Sequence, residues 1–356
     1  MMLSGHDRPI LKNSLVRRIV GVLAAAALAL AALGCPKERP APPAAGNAPA
    51  SSTAPAGRKL QIAVVPKGTT ASFWQTVKAG AEQAGKEMNA DIIFQGPTEE
   101  TDITGQKAIL DVQINKKVDA IVMAACNAQT LVPTVEKAQQ HGIPVVTIDS
   151  GIDPDISLKF IATDNKKGGA AAADALAKLI GPEGGEVGLL PFVVGAGSSD
   201  DREHGFIEQL KQYPNLKLVS KLYSESDVNK AQEKINAMVT AHPNIKGIFA
   251  ANQAGGVGAA QALKMKGLAG KVKLVAYDAG DEEIAALKAG TIQALVVQRP
   301  FDMGYKGVKA AVEAIKAGKV KADKPEMEDT GVTVVTMENF NQPDIQKLLY
   351  PQGPPK

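Results

Sequence analysis

From residue 60 onward, short apolar and β-branched runs alternate with longer runs whose apolar positions recur every three or four residues. The short runs lie at residues 61–66, 91–95, 120–124, 144–149, 186–190, 217–223, 247–251, 273–278 and 293–298. Their continuous apolarity predicts strands buried on both faces, the habit of parallel sheets. The longer runs, at 73–88, 103–116, 131–141, 166–179, 201–213, 228–241, 257–266, 282–289 and 301–317, predict helices. Gly142 before Pro144, Gly181-Pro182, Gly267 and Gly290 mark helix ends. The alternation predicts an α/β chain with helices on both faces of its sheets.

The series restarts after residues 160–163 (FIAT), so one βα set precedes this point and a second follows it. This weak internal parallel predicts two doubly wound parallel-sheet lobes. A final strand at 331–337 closes the fold. With several chain crossings, the lobes would face each other across a cleft at the carboxyl ends of their strands. Open α/β sheets bind ligands there.

The polar residues at those ends are the candidate chemistry. Lys67 follows IAVVP, Asp149 ends PVVTID, Asn252 follows GIFAA, Asp278 ends KLVAYD and Gln298 ends QALVVQ. A carboxylate accepts two hydroxyl hydrogen bonds, and Asn and Gln both donate and accept. Such a ring suits an uncharged, polyhydroxylated ligand. Phe73 and Trp74, the single tryptophan, offer ring faces to apolar C–H groups. Each residue also has a plainer role: Asp149 and Asp278 suit caps, Asn252 a turn, and Phe73 and Trp74 a core.

The first 57 residues change the picture of where the protein works. Arg8, Lys12, Arg17 and Arg18 lead into an apolar run from Ile19 to Leu33 that ends at Gly34-Cys35. The run is shorter than the ~20 residues a membrane span needs. It reads as a secretory signal, and Ala32-Leu33-Gly34-Cys35 resembles a bacterial lipoprotein box in which Cys35 would be acylated. An ordinary cleaved signal is the alternative. Residues 36–57 contain six prolines and few core formers, the composition of a spacer.

The leader carries the formal charge of +3, which leaves a near-neutral body with no nucleic-acid signal. Besides Cys35, Cys126 is the only cysteine, so the body has no internal disulfide and no cysteine metal cluster. Cys126 reads as a structural thiol. The four histidines lack metal-ligand spacing. No G-x-S-x-G elbow or Walker loop occurs, and Gly195-Ala196-Gly197 is only a fragment of a dinucleotide motif. Glu99, Glu100 and Asp102 read as a solvated helix entrance. No cofactor or metal is expected.

Residues 60–340 resemble the ribose/galactose-type periplasmic binding proteins, the substrate-binding components of bacterial ABC sugar importers. The resemblance rests on IAVVPKGTTASFWQTVKAGAEQAG, TLVPTVEKAQQHGIPVVTIDS, FIATDNKKGGAAAADAL, REHGF, GIFAANQAGGVGAAQALK, KLVAYDAG and GTIQALVVQRPFDMGYKGVKAA. Lac-repressor-like regulators share the fold but begin with a DNA-binding helix-turn-helix, where this chain has a signal and spacer. The resemblance implies two lobes joined by three crossings: residues 58–162 with 297–330, and 163–296 with 331–345. By position, Phe73 and Trp74 match the pair that sandwiches the sugar. Asp149, Asn252, Asp278 and Gln298 match sugar contacts, and Asn127 lies in a loop that supplies another.

Two departures point away from ribose. Asp200 stands where the family often has an Arg, and Ser150 follows Asp149 where ribose-type members have Arg, while Lys67 brings a cation to the first strand's tip. The candidate ligand residues are therefore Lys67, Phe73, Trp74, Asn127, Asp149, Ser150, Asp200, Asn252, Asp278 and Gln298. The resemblance implies a monomeric, non-enzymatic, lipid-anchored protein that binds a monosaccharide or polyol and docks on an ABC permease. Ligand presentation to a chemoreceptor or sensor kinase is the alternative. An enzyme would need a paired acid and base or a metal site; Asp149 and Asp278 could form such a pair, but the resemblance assigns both to binding.

Overall fold

The apolar runs become strands and the 3.6-periodic runs become the helices that cover them. The computed structural model describes residues 58–353. The chain opens with β1 (Leu60–Val65), α1 (Ser72–Met88), β2 (Ala90–Phe94), α2 (Ile103–Asn115), β3 (Ala120–Met123), α3 (Val132–Gln140), β4 (Val145–Ile148) and β5 (Lys159–Ala162). It crosses into a second lobe with α4 (Asn165–Ile180), β6 (Gly185–Leu190), α5 (Gly197–Leu210), β7 (Leu216–Lys221), α6 (Val228–Ala241) and β8 (Ile245–Ala250). That lobe continues through α7 (Gln253–Met265), β9 (Lys273–Tyr277), α8 (Asp281–Lys288) and β10 (Ala294–Val297). Then α9 (Pro300–Lys316) and β11 (Glu326–Asp329) return to the first lobe, while β12 (Thr333–Val335) and α10 (Pro343–Leu349) complete the second.

Two six-stranded sheets result, in the orders β11-β5-β4-β3-β1-β2 and β12-β10-β9-β8-β6-β7. All pairings are parallel except β10 with β12. Each sheet buries aliphatic cores on both faces, which is why its strands read as unbroken apolar runs. On one face of the first sheet, α1 and α9 pack with their backbones close. A Cβ at Gly80 or Gly304 would stand 2.0 Å from the facing carbonyl, so only glycine permits the approach.

Three crossings join the lobes after β5, β10 and β11, and one residue ties them together. Thr163 Oγ1 donates to Gln298 Oε1 at 3.2 Å and lies within 3.5 Å of Thr330 Oγ1 and the Gly331 carbonyl. Among the described residues no helix is long and apolar enough to cross a membrane.

The structure departs from the sequence reading in three places. Helix α5 begins at Gly197, ahead of the expected residue 201. Strand β11 was not anticipated, because EMED is a polar, largely exposed edge strand. Helix α10 runs past residue 345, since Ile345 and Leu349 bury in the second lobe's core. The signal, Cys35 and the spacer lie outside the described residues.

Candidate functional site

The strand ends of both lobes face one cleft of about 700 Å3. Lys67, Phe73, Trp74, Asp149, Asn252, Asp278 and Gln298 all line it. Asp149 and Asp278 occupy equivalent positions, just after β4 and β9, and both adopt left-handed backbone, with φ of 56° and 84°. Non-glycine residues rarely adopt this conformation, and two at matching strand ends mark a functional constraint.

The first lobe supplies a buried ion pair. Lys67 Nζ lies 3.0 Å from Asp149 Oδ2 and 3.8 Å from Glu100 Oε2, and donates to Ser198 Oγ of the other lobe at 2.9 Å. Its ammonium sits 5.0 Å from the Phe192 ring centroid and 5.7 Å from that of Trp74. Burial works against the charge, but Asp149 and then Glu100 outweigh it, so the Lys67 pKa is raised. Lys67 is therefore a neutralised cation with no spare charge for an anion. The buried Asp149 carboxylate is held between two cations, with Oδ2 against Lys67 and Oδ1 3.9 Å from Arg202 Nη2.

The second lobe supplies Asp278, Asn252 and Arg202. Asp278 Oδ1 accepts from Gln298 Nε2 at 2.6 Å, and Oδ2 accepts from the Gln253 N–H at 3.0 Å. Burial raises its pKa, partly offset by Arg202 and Gln298. Asn252 caps α7 through Oδ1 and donates from Nδ2 to Ser226 Oγ at 2.9 Å, so the turn role and the cleft role coexist. The Arg202 guanidinium lies 3.7 Å from the Tyr277 ring centroid. Its Nε donates to Asn165 and its Nη1 to the Ala251 carbonyl, and Nη2 stands 3.9 Å from Asp149 Oδ1. Trp74 is both core and cleft: it belongs to a buried cluster, packs edge-on to Phe73 at 4.8 Å and donates from Nε1 to Glu100 at 2.8 Å.

Three expected residues stand elsewhere. Asn127 and Asp200 line a separate cavity of about 400 Å3. Asn127 Oδ1 accepts from the Gln129 and Thr130 N–H groups, and Asp200 Oδ1 accepts from that of Gly195. Ser150 lines neither cavity: it is fully buried and its Oγ accepts from the Ser198 N–H and hydroxyl. For Asp200 the cause is the earlier start of α5. From Gly197 the helical period turns Ser198, Ser199, Arg202 and Phe206 inward and leaves Asp200 outside. The guanidinium in the cleft thus comes from Arg202 itself. Glu100 was also missed. It lines the cleft instead of solvating a helix entrance, and only Asp102 of that acidic trio caps α2. Among the described residues no group of His, Cys, Asp or Glu is placed to hold a metal ion. Burial pushes the Cys126 thiol up to about 12, which fits a structural group.

Behind Asp278 lies a support the sequence did not reveal. Glu283 is fully buried and its Oε2 accepts from the Gly280 N–H, fixing the loop that carries Asp278. Burial, then the charge of Asp278, raises its pKa well above the ordinary 4.5. Below that value Glu283 is protonated in both folded and unfolded chains. As pH rises, the unfolded chain loses the proton first, so stability falls until the folded pKa is passed. Glu283→Gln keeps an acceptor for Gly280 without a titrating group. The variant is expected to melt higher than the parent at pH 7.5 and equally at pH 4. A lower melting temperature at pH 7.5 would mean that the charge itself is needed.

A hinged pair of α/β lobes around a polar, aromatic-walled cleft defines a two-lobed solute-binding protein. Residues 62–319 match the periplasmic binding protein domain. The chain is 34% identical over 268 residues to the D-allose-binding periplasmic protein of Escherichia coli, covering 73% of this chain and 86% of that protein. It is 31% identical over 286 residues to the D-ribose/D-allose-binding protein of Pseudomonas aeruginosa, covering 78% and 89%. Among solved structures, a carbohydrate transporter solute-binding protein from Agrobacterium radiobacter in complex with D-arabinose superposes with a TM-score of 0.77 at 36% identity, covering 82% of this chain and 99% of that one. An ABC transporter solute-binding protein from Agrobacterium vitis with bound D-fucose gives 0.77 at 37%, covering 82% and 100%. The chain belongs to the periplasmic binding protein family, on its ribose/galactose-type sugar-binding branch. Its relatives are solute-binding proteins, and it is not an enzyme.

Proposed function

We propose that this chain captures a monosaccharide or related polyol in the interlobe cleft and delivers it to an ABC permease, while lipid on Cys35 holds it at the membrane. The observation that carries the reading is the convergence of Asp149, Arg202, Asn252, Asp278 and Gln298, from both lobes and a hinge strand, on one cleft walled by Trp74. The carboxylates would accept sugar hydroxyls, Arg202 would donate, and Asn252 and Gln298 would do both. Because the ring is split between lobes, sugar contact and lobe closure are one linked equilibrium. Relatives named for D-allose, D-ribose and xylitol, and neighbours holding D-arabinose and D-fucose, support this chemical range.

A micromolar dissociation constant corresponds to about −8 kcal/mol, within reach of several charge-assisted hydrogen bonds and a buried ring. A melting screen of the purified chain against these sugars, with sugar acids and amino acids as controls, tests the reading. A ligand at 100 times its dissociation constant adds about 2.7 kcal/mol of stability. Stabilisation by an aldose or polyol, with none by amino acids, is the expected result. Stabilisation by amino acids alone would overturn the substrate class.

A further inference from the structure

We propose that Glu100 and Ser226 form an interlobe clasp that sets how long the cleft stays closed over its ligand. The inference rests on the sugar-binding reading and adds to it a pair of positioning residues. Glu100 belongs to the first lobe, in the loop between β2 and α2, and is held on two sides. Its Oε1 accepts from Trp74 Nε1 at 2.8 Å, and its Oε2 lies 3.8 Å from Lys67 Nζ. Its Cγ lies 3.3 Å from where a Cβ at residue 68 would stand, so Gly68 leaves the room it occupies. Across the cleft, Ser226 Oγ donates to Glu100 Oε2 at 2.8 Å and accepts from Asn252 Nδ2 at 2.9 Å.

The result is an unbroken path from Trp74 through Glu100 and Ser226 to Asn252, with two proposed sugar contacts at its ends and the lobe boundary in its middle. The loop bearing Ser226 is built for this reach. Glu225 and Ser226 both take left-handed backbone, with φ of 55° and 54°. Two consecutive non-glycine residues in that conformation carry strain that the surroundings must hold in place. The holding contacts are backbone bonds: Ser224 N–H to the Pro191 carbonyl at 3.0 Å and Glu225 N–H to that of Phe192 at 2.8 Å. Phe192 in turn packs against Lys67, so the strained loop is fixed beside the cleft.

A hydroxyl donating to a carboxylate is a charge-assisted bond, and this one can exist only when the lobes meet. Its loss should therefore speed opening and leave encounter unchanged. Trp74, the single tryptophan, reports the event directly. Stopped-flow fluorescence of the purified chain with D-allose, D-ribose, D-arabinose and D-fucose would compare the parent with Ser226→Ala, Glu100→Gln and the double variant. Each single change is expected to raise the dissociation rate about tenfold or more and to shift the association rate less than about twofold. The double variant should lose clearly less than the sum of the two single losses, because both changes remove the same Ser226–Glu100 bond.

Melting temperatures without sugar should stay within a few degrees of the parent, which separates a clasp from a merely structural role. Ser226→Ala should also alter Trp74 emission, although the two residues lie in different lobes. Additive losses, a loss confined to the association rate, or Trp74 emission indifferent to Ser226→Ala with and without sugar would each overturn the clasp. If none of the four sugars bound while the emission still answered to Ser226→Ala, the sugar reading would fail and the clasp would stand.

Discussion

Replacing Asp278 by Ala is expected to weaken sugar binding by at least about tenfold and to leave the fold intact. Hydrogen bonds to a charged group contribute about 1.5–3 kcal/mol each, which is tenfold or more in affinity. The side chain does two jobs at once. It offers a carboxylate to the cleft, and it orients Gln298 by accepting from its Nε2 at 2.6 Å. Gln298 sits on a hinge crossing and accepts in turn from Thr163. On the proposed reading, losing Asp278 therefore removes one sugar contact and frees a second. Folding should survive, because burial already disfavours this charge, as its raised pKa shows. That raised pKa also gives binding a pH dependence: the carboxylate takes up a proton at a higher pH than an ordinary Asp and then loses an acceptor. Calorimetric titration together with a melting curve checks both halves. Unchanged affinity in Asp278→Ala would remove this residue from the site.

Lys67→Met is expected to destabilise the protein itself. Lys67 and Asp149 are both almost wholly buried, with Nζ and Oδ2 3.0 Å apart. Removing one partner of a buried pair costs about 3–5 kcal/mol, because the other charge is left without compensation. The nearest remaining cation to Asp149 is Arg202, at 3.9 Å and already bonded to Asn165 and Ala251. In a chain of this size the loss corresponds to a fall in melting temperature of about 5–8 °C. Adding Asp149→Asn should restore most of it, since removing both charges leaves neither stranded. Sugar binding should not return with stability, because the double variant lacks the buried acceptor. A single variant melting within about 2 °C of the parent would show that Asp149 finds compensation elsewhere.

Much of the architecture was legible because parallel strands are buried on both faces. The runs ending in Asp149, Asp278 and Gln298 carry no polar interruption until their tips, so the tips announced themselves. What escaped detection has physical reasons too. Strand β11 pairs only on one side and faces water, so EMED carries no apolar signal. Asp200 follows from the family's arginine position, but α5 begins at Gly197 and its period turns Arg202 inward and Asp200 outward. The inward spacing of Ser198, Arg202 and Phe206 was the signal that could have found the guanidinium. Glu100 was lost among acidic neighbours that do face solvent, since its burial comes from Trp74 and Ser226, far apart in the chain. Glu283 showed only as one of three acids at a helix start, and nothing local told which one lies inside.

The measurement that bears most directly on the central claim is a calorimetric titration of the purified chain with D-allose, D-ribose, D-arabinose and D-fucose, repeated in the Asp149→Asn, Asp278→Ala double variant. The expected result is one-to-one binding of at least one sugar with a negative heat-capacity change, the mark of apolar surface buried against Trp74, and its loss in the double variant. Binding that survives in the double variant would place the sugar outside this cleft, and no binding of any sugar would contradict the account.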